Sequence, residues 1–181
     1  IENVPGMANM YKGQVKDEVL KRFRKMGYNI DCRILKACDY GVPQMRKRLV
    51  FMGVRKDIGN PHFPDPTFGP ETKKPYRTCR DAISDLPTIT DNWRLSEMPY
   101  SKNTNLTEFQ KIMRRNSNGK TIKNNICRMS NDRAKKVFQH MEQGSKYMDL
   151  PPEVRQILPF REDIFKDRLK RLVMKEPSWT V

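Results

Sequence analysis

Apolar residues recur at helical spacing from Tyr11 to Met26, with lysines and arginines on the other faces. This periodicity predicts an amphipathic helix. Apolar and polar residues then alternate from Asn29 to Ala37, which predicts a half-buried strand. The residues expected on its apolar side are Ile30, Cys32 and Ile34. A nearly continuous apolar run from Leu49 to Val54 predicts a buried strand, so residues 1–57 are expected to form the end of an α/β sheet.

The pattern changes at residues 58–76, where five prolines and two glycines disrupt regular hydrogen bonding and mark a connection. A short helix is predicted from Thr78 to Leu86, with its first residue as N-cap and Asp81 three positions later. The last part of the chain contains short segments framed by prolines. A helix is expected near Pro152–Leu158, and a further short element over Asp163–Val173.

The charge balance is strongly positive. Among 181 residues, 36 Lys and Arg oppose 21 Asp and Glu, a net charge of +15. The excess is concentrated between Ser101 and Tyr147, which contain 11 basic and three acidic residues. Such a surface attracts polyanions, so nucleic acid is the first expected partner. Hydrophobic residues make up only 36%, but 8 Phe, 6 Tyr and 2 Trp exclude a wholly disordered tail.

The sequence does not indicate a membrane, secreted, disulfide-rich or metal-binding protein. No stretch has the ~18 to 20 apolar residues of a membrane span, and the first residues do not form a secretory leader. The four cysteines form no C-x-x-C pair, and His62 and His140 are isolated, so we expect neither a disulfide framework nor a metal site. The chain begins at Ile1 instead of Met, which suggests a processed product or a piece cut from something longer.

A row of polar side chains precedes the apolar strand. Gln44, Arg46 and Arg48 lie two apart, so in an extended backbone they project to one side. Two guanidiniums and an amide suit a phosphate or a carbonyl oxygen, because Arg offers planar bidentate donors that stay charged. On charge pattern alone, a basic strand edge that discourages aggregation remains an equal alternative.

These blocks together resemble the middle of the DNA cytosine-5 methyltransferase family. Ile1-Glu2-Asn3-Val4, the helix, the strand and Asp39-Tyr40-Gly41-Val42-Pro43-Gln44-Met45-Arg46-Lys47-Arg48 match its E-N-V and Q-x-R-x-R blocks in order, spacing and identity. The likeness is looser at 76–87 and 140–181 and absent from 88–139, where target-recognition sequences of the family diverge. The implied setting is DNA methylation, including restriction-modification, in a prokaryotic or viral cytoplasm or a eukaryotic nucleus.

The resemblance implies a fold and its division. We expect an α/β chain: the C-terminal part of a Rossmann-like methyltransferase sheet, then a mixed α+β target-recognition region. The implied parts are a partial catalytic domain at 1–60, a Pro-rich connection with a short helix at 61–87, and the recognition region at 88–181. The family's glycine-rich turn for S-adenosylmethionine and its Pro-Cys nucleophile loop are absent from the sequence. The chain is therefore expected to bind no cofactor and to be inactive alone, with the missing parts or a second copy as partner.

The resemblance also implies roles for individual residues. The family adds a cysteine thiolate to C6 of a flipped-out cytosine, transfers the methyl of S-adenosylmethionine to C5 and removes the C5 proton. Glu2 matches the carboxyl that hydrogen-bonds N3 and the exocyclic amine. Arg48 and Arg46 match guanidiniums that contact the base carbonyl, the nearby phosphate and the catalytic loop. Asn3 and Gln44 match orienting partners.

The basic region is expected to bind duplex DNA in a salt-dependent manner. The predicted DNA-binding residues are Arg114, Arg115, Lys120, Lys123 and Arg128, and Gln110 is among the side chains of the type that reads bases. Two alternatives stay open. One is a basic DNA-binding module that has lost catalysis, and the other is the branch of the family that methylates tRNA, since charge alone does not separate DNA from RNA.

Overall fold

A computed structural model describes the chain at residues 1–88, 96–102, 105–126, 131–161, 163 and 169–180. The chain forms two compact units, Ile1–Arg77 with Trp179–Val181, and Thr78–Ser178. Both contain helices and strands, so the predicted mixture of α and β is confirmed. None of the helices in the described ranges is long and apolar enough to cross a membrane.

The first unit is built on a three-stranded antiparallel sheet in the order β1-β3-β2. Its strands are β1 (Glu2–Asn3), β2 (Tyr28–Lys36) and β3 (Lys47–Arg55). β3 is central, and its alternation of buried and half-buried residues follows from having one face against the core. The two strands predicted from the sequence are confirmed, and β3 begins two residues before the apolar run, at Lys47.

A single helix, α1 (Gln14–Lys25), covers one face of this sheet. The helix was expected to begin at Tyr11, but a 3-10 turn over Met10–Gly13 precedes it. Tyr11, Lys12 and Gly13 all have positive φ, at 50°, 56° and 90°. Left-handed residues do not continue a right-handed helix, so α1 begins only after them. The core beneath α1 consists of Ile30, Leu49 and Phe51, against which Met7, Ala8, Val19, Leu20, Phe23 and Cys32 pack.

Ile34 lies on the predicted side of β2 but is not buried. Its side chain is 50% exposed. It is paired with Leu49 and shares a face with Ile30 and Cys32. It lies near the end of an edge strand, however, and the cluster beneath α1 includes Ile30 and Cys32 but not Ile34.

The second unit contains a two-stranded antiparallel sheet and four short helices within the described ranges. The elements are β4 (Glu97–Pro99), β5 (Thr121–Lys123), α2 (Cys79–Ile83), α3 (Glu108–Arg114), α4 (Asp132–Gln139) and α5 (Pro152–Arg155). The predicted capping box of α2 is present, with Thr78 and Asp81 each bonded to the other's backbone amide. The helix expected near Pro152–Leu158 is confirmed as α5. Most of the element expected over 163–173 lies outside the described residues.

A second hydrophobic core lies at the C-terminal side of this unit. Its buried members are Val137, Met141, Tyr147, Leu150 and Val154. The Tyr147 hydroxyl donates to the carbonyl of Arg155 at 3.0 Å, and the ring meets Phe160 edge to face at 5.0 Å. A buried tyrosine is stable there because its hydroxyl has a partner and its ring is packed.

Replacing Leu49 by Ala should lower the free energy of unfolding by about 2–5 kcal/mol, because Leu49 is 2% exposed and its loss leaves a cavity under α1. Ile34→Ala on the neighbouring strand is the matched control. It should cost about 1 kcal/mol or less, since that side chain is half exposed. Urea denaturation followed by far-UV circular dichroism measures both. Equal losses for the two variants would contradict this placement of the core.

Candidate functional site

The pairing of β1 with β3 brings Glu2 and Arg48 together. Glu2 is the Cα partner of Val50, and partners in an antiparallel pair share a face. Arg48 lies two residues before Val50 and therefore projects on the same side. Glu2 Oε1 lies 2.5 Å from Arg48 Nε, a short charge-assisted contact. Glu2 of the E-N-V block and Arg48 of the Q-x-R-x-R block thus meet on the sheet face opposite α1.

The Arg48 guanidinium is held from two directions. Its Nε faces Glu2, and its Nη1 donates to the carbonyl of Lys47 at 2.7 Å. The Arg48 side chain is only 22% exposed, whereas Glu2 is 58% exposed. The geometry therefore presents a carboxyl group that is oriented by a fixed cation and open to a ligand.

Arg46 lies just before β3, two residues from Arg48. Its carbonyl accepts a hydrogen bond from the Ala37 amide at 2.8 Å, which extends the ladder between β2 and β3 by one residue. The alternation of the extended backbone places Arg46 and Arg48 on the same side. Within the described residues, Arg46 forms no ion pair with Glu2, which contacts Arg48 instead. The role predicted for Arg46 therefore stays a prediction.

The two predicted orienting residues occupy different places. Asn3 pairs with the core residue Leu49, so it lies on the opposite face of the sheet from Glu2. Its Oδ1 accepts from the amide of Val4 at 2.8 Å, which stabilises the turn after β1. Gln44 is half-buried in the loop before Arg46, and its backbone amide donates to the Val42 carbonyl at 2.7 Å. Their supporting roles stay predictions.

Sequence reasoning missed a polar network beside the loop that leads to Arg46. The Tyr76 hydroxyl donates to Asp39 Oδ1 at 2.9 Å, and Lys36 Nζ donates to the same hydroxyl at 3.3 Å. The bond to Asp39 raises the pKa of Tyr76, and the bond to Tyr76 raises the pKa of Lys36. Asp39 and Tyr76 are 37 positions apart in the chain, and no periodicity or spacing in the sequence indicates their contact.

Arg114, predicted to contact DNA, is engaged inside the second unit. Its Nη2 and Nε lie 2.6 and 2.8 Å from Asp85 Oδ2, and its Cζ lies 3.5 Å from the Tyr100 ring centroid. The side chains of Arg114 and Asp85 are 13% and 4% exposed. A nearly buried ion pair of this kind holds α3 to the segment after α2, and it leaves the guanidinium little surface for a phosphate.

The other predicted DNA-binding residues differ from Arg114 in exposure. Arg115, Lys120 and Lys123 are all exposed. Lys123 lies opposite Glu97 in the pairing of β5 with β4. Arg128 lies outside the described residues. DNA binding by these residues stays a prediction.

Gln110 is not available to read a base, which corrects the expectation from its residue type. It is 1% exposed, and its side chain closes the capping box of α3 with Thr107. Its Nε2 also donates to Ser84 Oγ at 2.9 Å. A buried amide needs such partners, and all its polar atoms face the protein interior.

Two of the three described cysteines lie in the core instead of at a reactive surface. Cys38 is 0% and Cys79 3% exposed, and burial raises the pKa of both thiols. Burial also raises the pKa of the partly buried Cys32, and Cys127 lies outside the described residues. The described part of the chain contains no group of His, Cys, Asp and Glu that could hold a metal ion.

Comparison with known families gives the class of protein. The family described as C-5 cytosine-specific DNA methylase matches residues 1–177. The chain belongs to this family, as the E-N-V and Q-x-R-x-R blocks predicted.

Individual relatives agree with this assignment. The chain is 48% identical over 89 residues to the type II methyltransferase M.BsuRI of Bacillus subtilis, covering 48% of the chain and 20% of that protein. It is 30% identical over 188 residues to the type II methyltransferase M.Bpa9945I of Bacillus paralicheniformis, covering 93% of the chain and 41% of that protein. The chain thus spans less than half the length of these relatives.

A solved structure shares the fold. It is described as a DNA modification methyltransferase encoded within a prophage of E. coli. It superposes with a TM-score of 0.64 over 99% of this chain and 51% of its own, at 20% identity.

The Arg114 pair should act on folding and not on phosphate binding. Arg114→Ala should lower the free energy of unfolding by about 3–5 kcal/mol, because it leaves Asp85 charged and buried without a partner. The slope of log affinity for duplex DNA against log salt, measured on the folded fraction of Arg114→Ala, should match that of the unmodified chain. Lys120→Ala, at an exposed site, should leave stability unchanged and reduce the slope of log affinity against log salt by about 1. A reduced slope for Arg114→Ala would assign it to the DNA interface.

The buried thiols should resist alkylation in the native chain. A raised pKa leaves less thiolate at any pH from 7 to 9, so Cys38 and Cys79 should react with iodoacetamide at least about tenfold more slowly than in urea. Labelling should increase as the pH rises, and the partly buried Cys32 should react before either. Mass spectrometry of timed digests reads out each site. Native labelling of Cys79 as fast as in urea would contradict its burial.

Proposed function

We propose that the protein containing this chain transfers a methyl group from S-adenosylmethionine to C5 of a cytosine in a specific duplex DNA sequence. This chain supplies part of the cytosine pocket and the DNA recognition region. The observation that carries the proposal is the contact of Glu2 with Arg48, in a chain that matches the cytosine-specific DNA methylase family over residues 1–177. The type II methyltransferases among its relatives support DNA as the substrate.

The chemistry of the cytosine ring explains the need for Glu2. When a nucleophile adds to C6, negative charge develops in the ring and reaches N3. A carboxyl group that hydrogen-bonds N3 and the exocyclic amine stabilises this charge as it forms. Arg48 holds the Glu2 carboxyl in one orientation, so little reorganisation is needed when the base enters.

The two arginines would complete the polar side of the pocket. A guanidinium at position 48 has donors for the base carbonyl or the adjoining phosphate besides the nitrogen that faces Glu2. Arg46, on the same side of the chain, would contact the phosphate or the catalytic loop. Asn3 and Gln44 would act by holding the turns on either side of this pair.

The remaining parts of the chain follow from the same proposal. Residues 1–60 would be the final strands of a Rossmann-like methyltransferase sheet, 61–87 a connection, and 88–181 the target-recognition region. Exposed basic side chains at 115, 120 and 123 would neutralise DNA phosphates, which makes binding weaken steeply with salt. The rest of the methyltransferase domain, or a second copy of the chain, would complete the pocket.

The chain's own residues do not fit S-adenosylmethionine. Its nine glycines are at least six positions apart, so the 181 residues contain no glycine-rich turn. The nucleophile is not provided either, because none of the four cysteines follows a proline and the described ones are wholly or partly buried. We therefore propose that this chain does not transfer methyl groups by itself, and assign it no step of cofactor binding.

Reconstitution tests the proposed function. The chain is mixed with a polypeptide carrying the family's glycine-rich turn and Pro-Cys loop, and tritiated methyl transfer to duplex DNA is measured. Glu2→Gln should lower the rate at least about 100-fold, because it removes the acidic group at N3. Glu18→Gln is the matched control: Glu18 also contacts an arginine, at 2.8 Å on the exposed side of α1, and its loss should leave the rate unchanged.

The other outcomes separate the alternatives. Tight, salt-dependent DNA binding without methyl transfer would favour a DNA-binding module that has lost catalysis. Transfer to tRNA but not to duplex DNA would favour the RNA-modifying branch. Full activity of the Glu2→Gln variant would overturn the role of Glu2.

A further inference from the structure

The loop that leads to the two arginines is gripped by a segment far along the chain, residues 67–77, here called the clamp. The turn it grips is Asp39–Gly41, between β2 and β3. The backbone amides of Thr67 and Phe68 both donate to the Asp39 carbonyl, at 2.8 and 3.0 Å. The clamp and the turn lie in the same compact unit. A carbonyl that accepts two amide hydrogen bonds has little freedom to rotate.

The Phe68 ring packs directly against Gly41. Gly41 has φ of 82°, and a Cβ added there would lie 2.6 Å from the Phe68 ring. Two cations face the same ring: the Arg77 guanidinium at 4.8 Å and Lys74 Nζ at 5.6 Å from its centroid. Arg77 Nη1 also donates to the Gly41 carbonyl at 3.2 Å. Phe68 and Arg77 together therefore fix the backbone of the turn at its end.

Tyr76 fixes the start of the same turn. Its hydroxyl donates to Asp39 Oδ1 at 2.9 Å, and Lys36 Nζ lies 3.3 Å from that hydroxyl and 5.1 Å from the ring centroid. The ring packs on Gly69, where an added Cβ would approach to 2.6 Å. The side chains of Lys36 and Asp39 are about one quarter exposed. This half-buried network joins β2, the turn and the clamp.

The turn is connected to Arg46 through backbone hydrogen bonds of Ala37, at the point where the two sides of the loop meet. The Ala37 amide donates to the Arg46 carbonyl at 2.8 Å, and the Val42 amide donates to the Ala37 carbonyl at 3.2 Å. Ala37 thus bonds to both sides of the loop, one residue after the last paired residue of β2. A shift of the turn would pass through this residue to Arg46, and from there along β3 to Arg48.

We propose that Phe68 and Tyr76 are positioning residues for Arg46 and Arg48. Among the described residues, no hydrogen bond or ring contact joins them to either arginine, but they hold the turn that is bonded through Ala37 to Arg46. This inference rests on the proposed function, because the position of the row affects a methyl-transfer rate only if the row lines the cytosine pocket. Displacement of such a group by about 1 Å costs up to about 100-fold in rate, so a clamp on its loop has a functional effect out of proportion to its effect on folding.

Two conservative variants test the proposal. Tyr76→Phe removes only the hydroxyl, and Phe68→Leu removes the ring beside Gly41. The matched control is Tyr11→Phe, which removes the hydroxyl of a side chain that is 73% exposed. Amide hydrogen exchange at Ala37 and Val42 should be roughly fivefold or more faster in both clamp variants and unchanged in the control.

Activity gives the second measurement, in the reconstituted methyl-transfer reaction. Both clamp variants should lower kcat about 10- to 100-fold with less than a twofold change in the KM for DNA, because the clamp is assigned no DNA contact. A purely structural role would lower the thermal midpoint and leave kcat per folded molecule intact.

The failures of the two proposals are distinguishable. Unchanged amide exchange, or faster exchange with a normal kcat, while the reconstituted reaction with the unmodified chain methylates DNA, would overturn the positioning role alone. Absence of methyl transfer in the reconstituted reaction with the unmodified chain would count against the proposed function and remove the basis of the positioning role with it.

Discussion

The register between β1 and β3 is the constraint on which the rest of the first unit depends. It pairs Glu2 with Val50 and Asn3 with Leu49. Leu49 lies beneath α1, and neighbouring residues of a strand face opposite sides, so this alignment places Asn3 on the face of α1 and Glu2 beside Arg48. A slip of β1 by one residue would turn Glu2 to the face of α1, away from Arg48. The register of this short strand therefore decides whether the polar pair forms.

Strand pairing also fixes part of the arginine row, Arg46 and Arg48. Arg48 is part of β3, so its backbone is fixed by the ladder with β2 and its side chain by Glu2 and the Lys47 carbonyl. Arg46 lies outside the strand, where the ladder provides only the bond from Ala37. Residues that a sheet does not hold must be held by something else, and the clamp lies where the strand ends.

Much of the fold could be predicted from short-range patterns. The periodicity of α1 and the apolar run of β3 depend on neighbours in the sequence, and both elements are present. The start of α1 could not be predicted. Tyr11 and Lys12 are left-handed, and tyrosine and lysine rarely adopt that conformation, so their residue types do not indicate it. The exposure of Ile34 depends on how far a helix reaches over an edge strand, which alternation does not encode.

The site was predictable only in part, for a related reason. Arg114 and Arg115 are adjacent and chemically identical, yet one is bound to Asp85 and the other is exposed. Likewise, the meeting of Glu2 with Arg48 was expected from the family blocks and not from spacing, because the strands that bring them together are separated by a helix.

The contact between Gly41 and Phe68 has a consequence for how the sequence can diverge. A smaller side chain at 68 would make room for a Cβ at 41, but it would not relieve the left-handed backbone there, at φ 82°. Substitutions at the two positions therefore have different consequences in evolution. Loss of Phe68 leaves the turn with a glycine that still suits its backbone, so a later substitution at 68 can restore the packing. Loss of Gly41 strains the backbone, and no substitution at 68 relieves that strain, so stability is regained mainly by reversion to glycine.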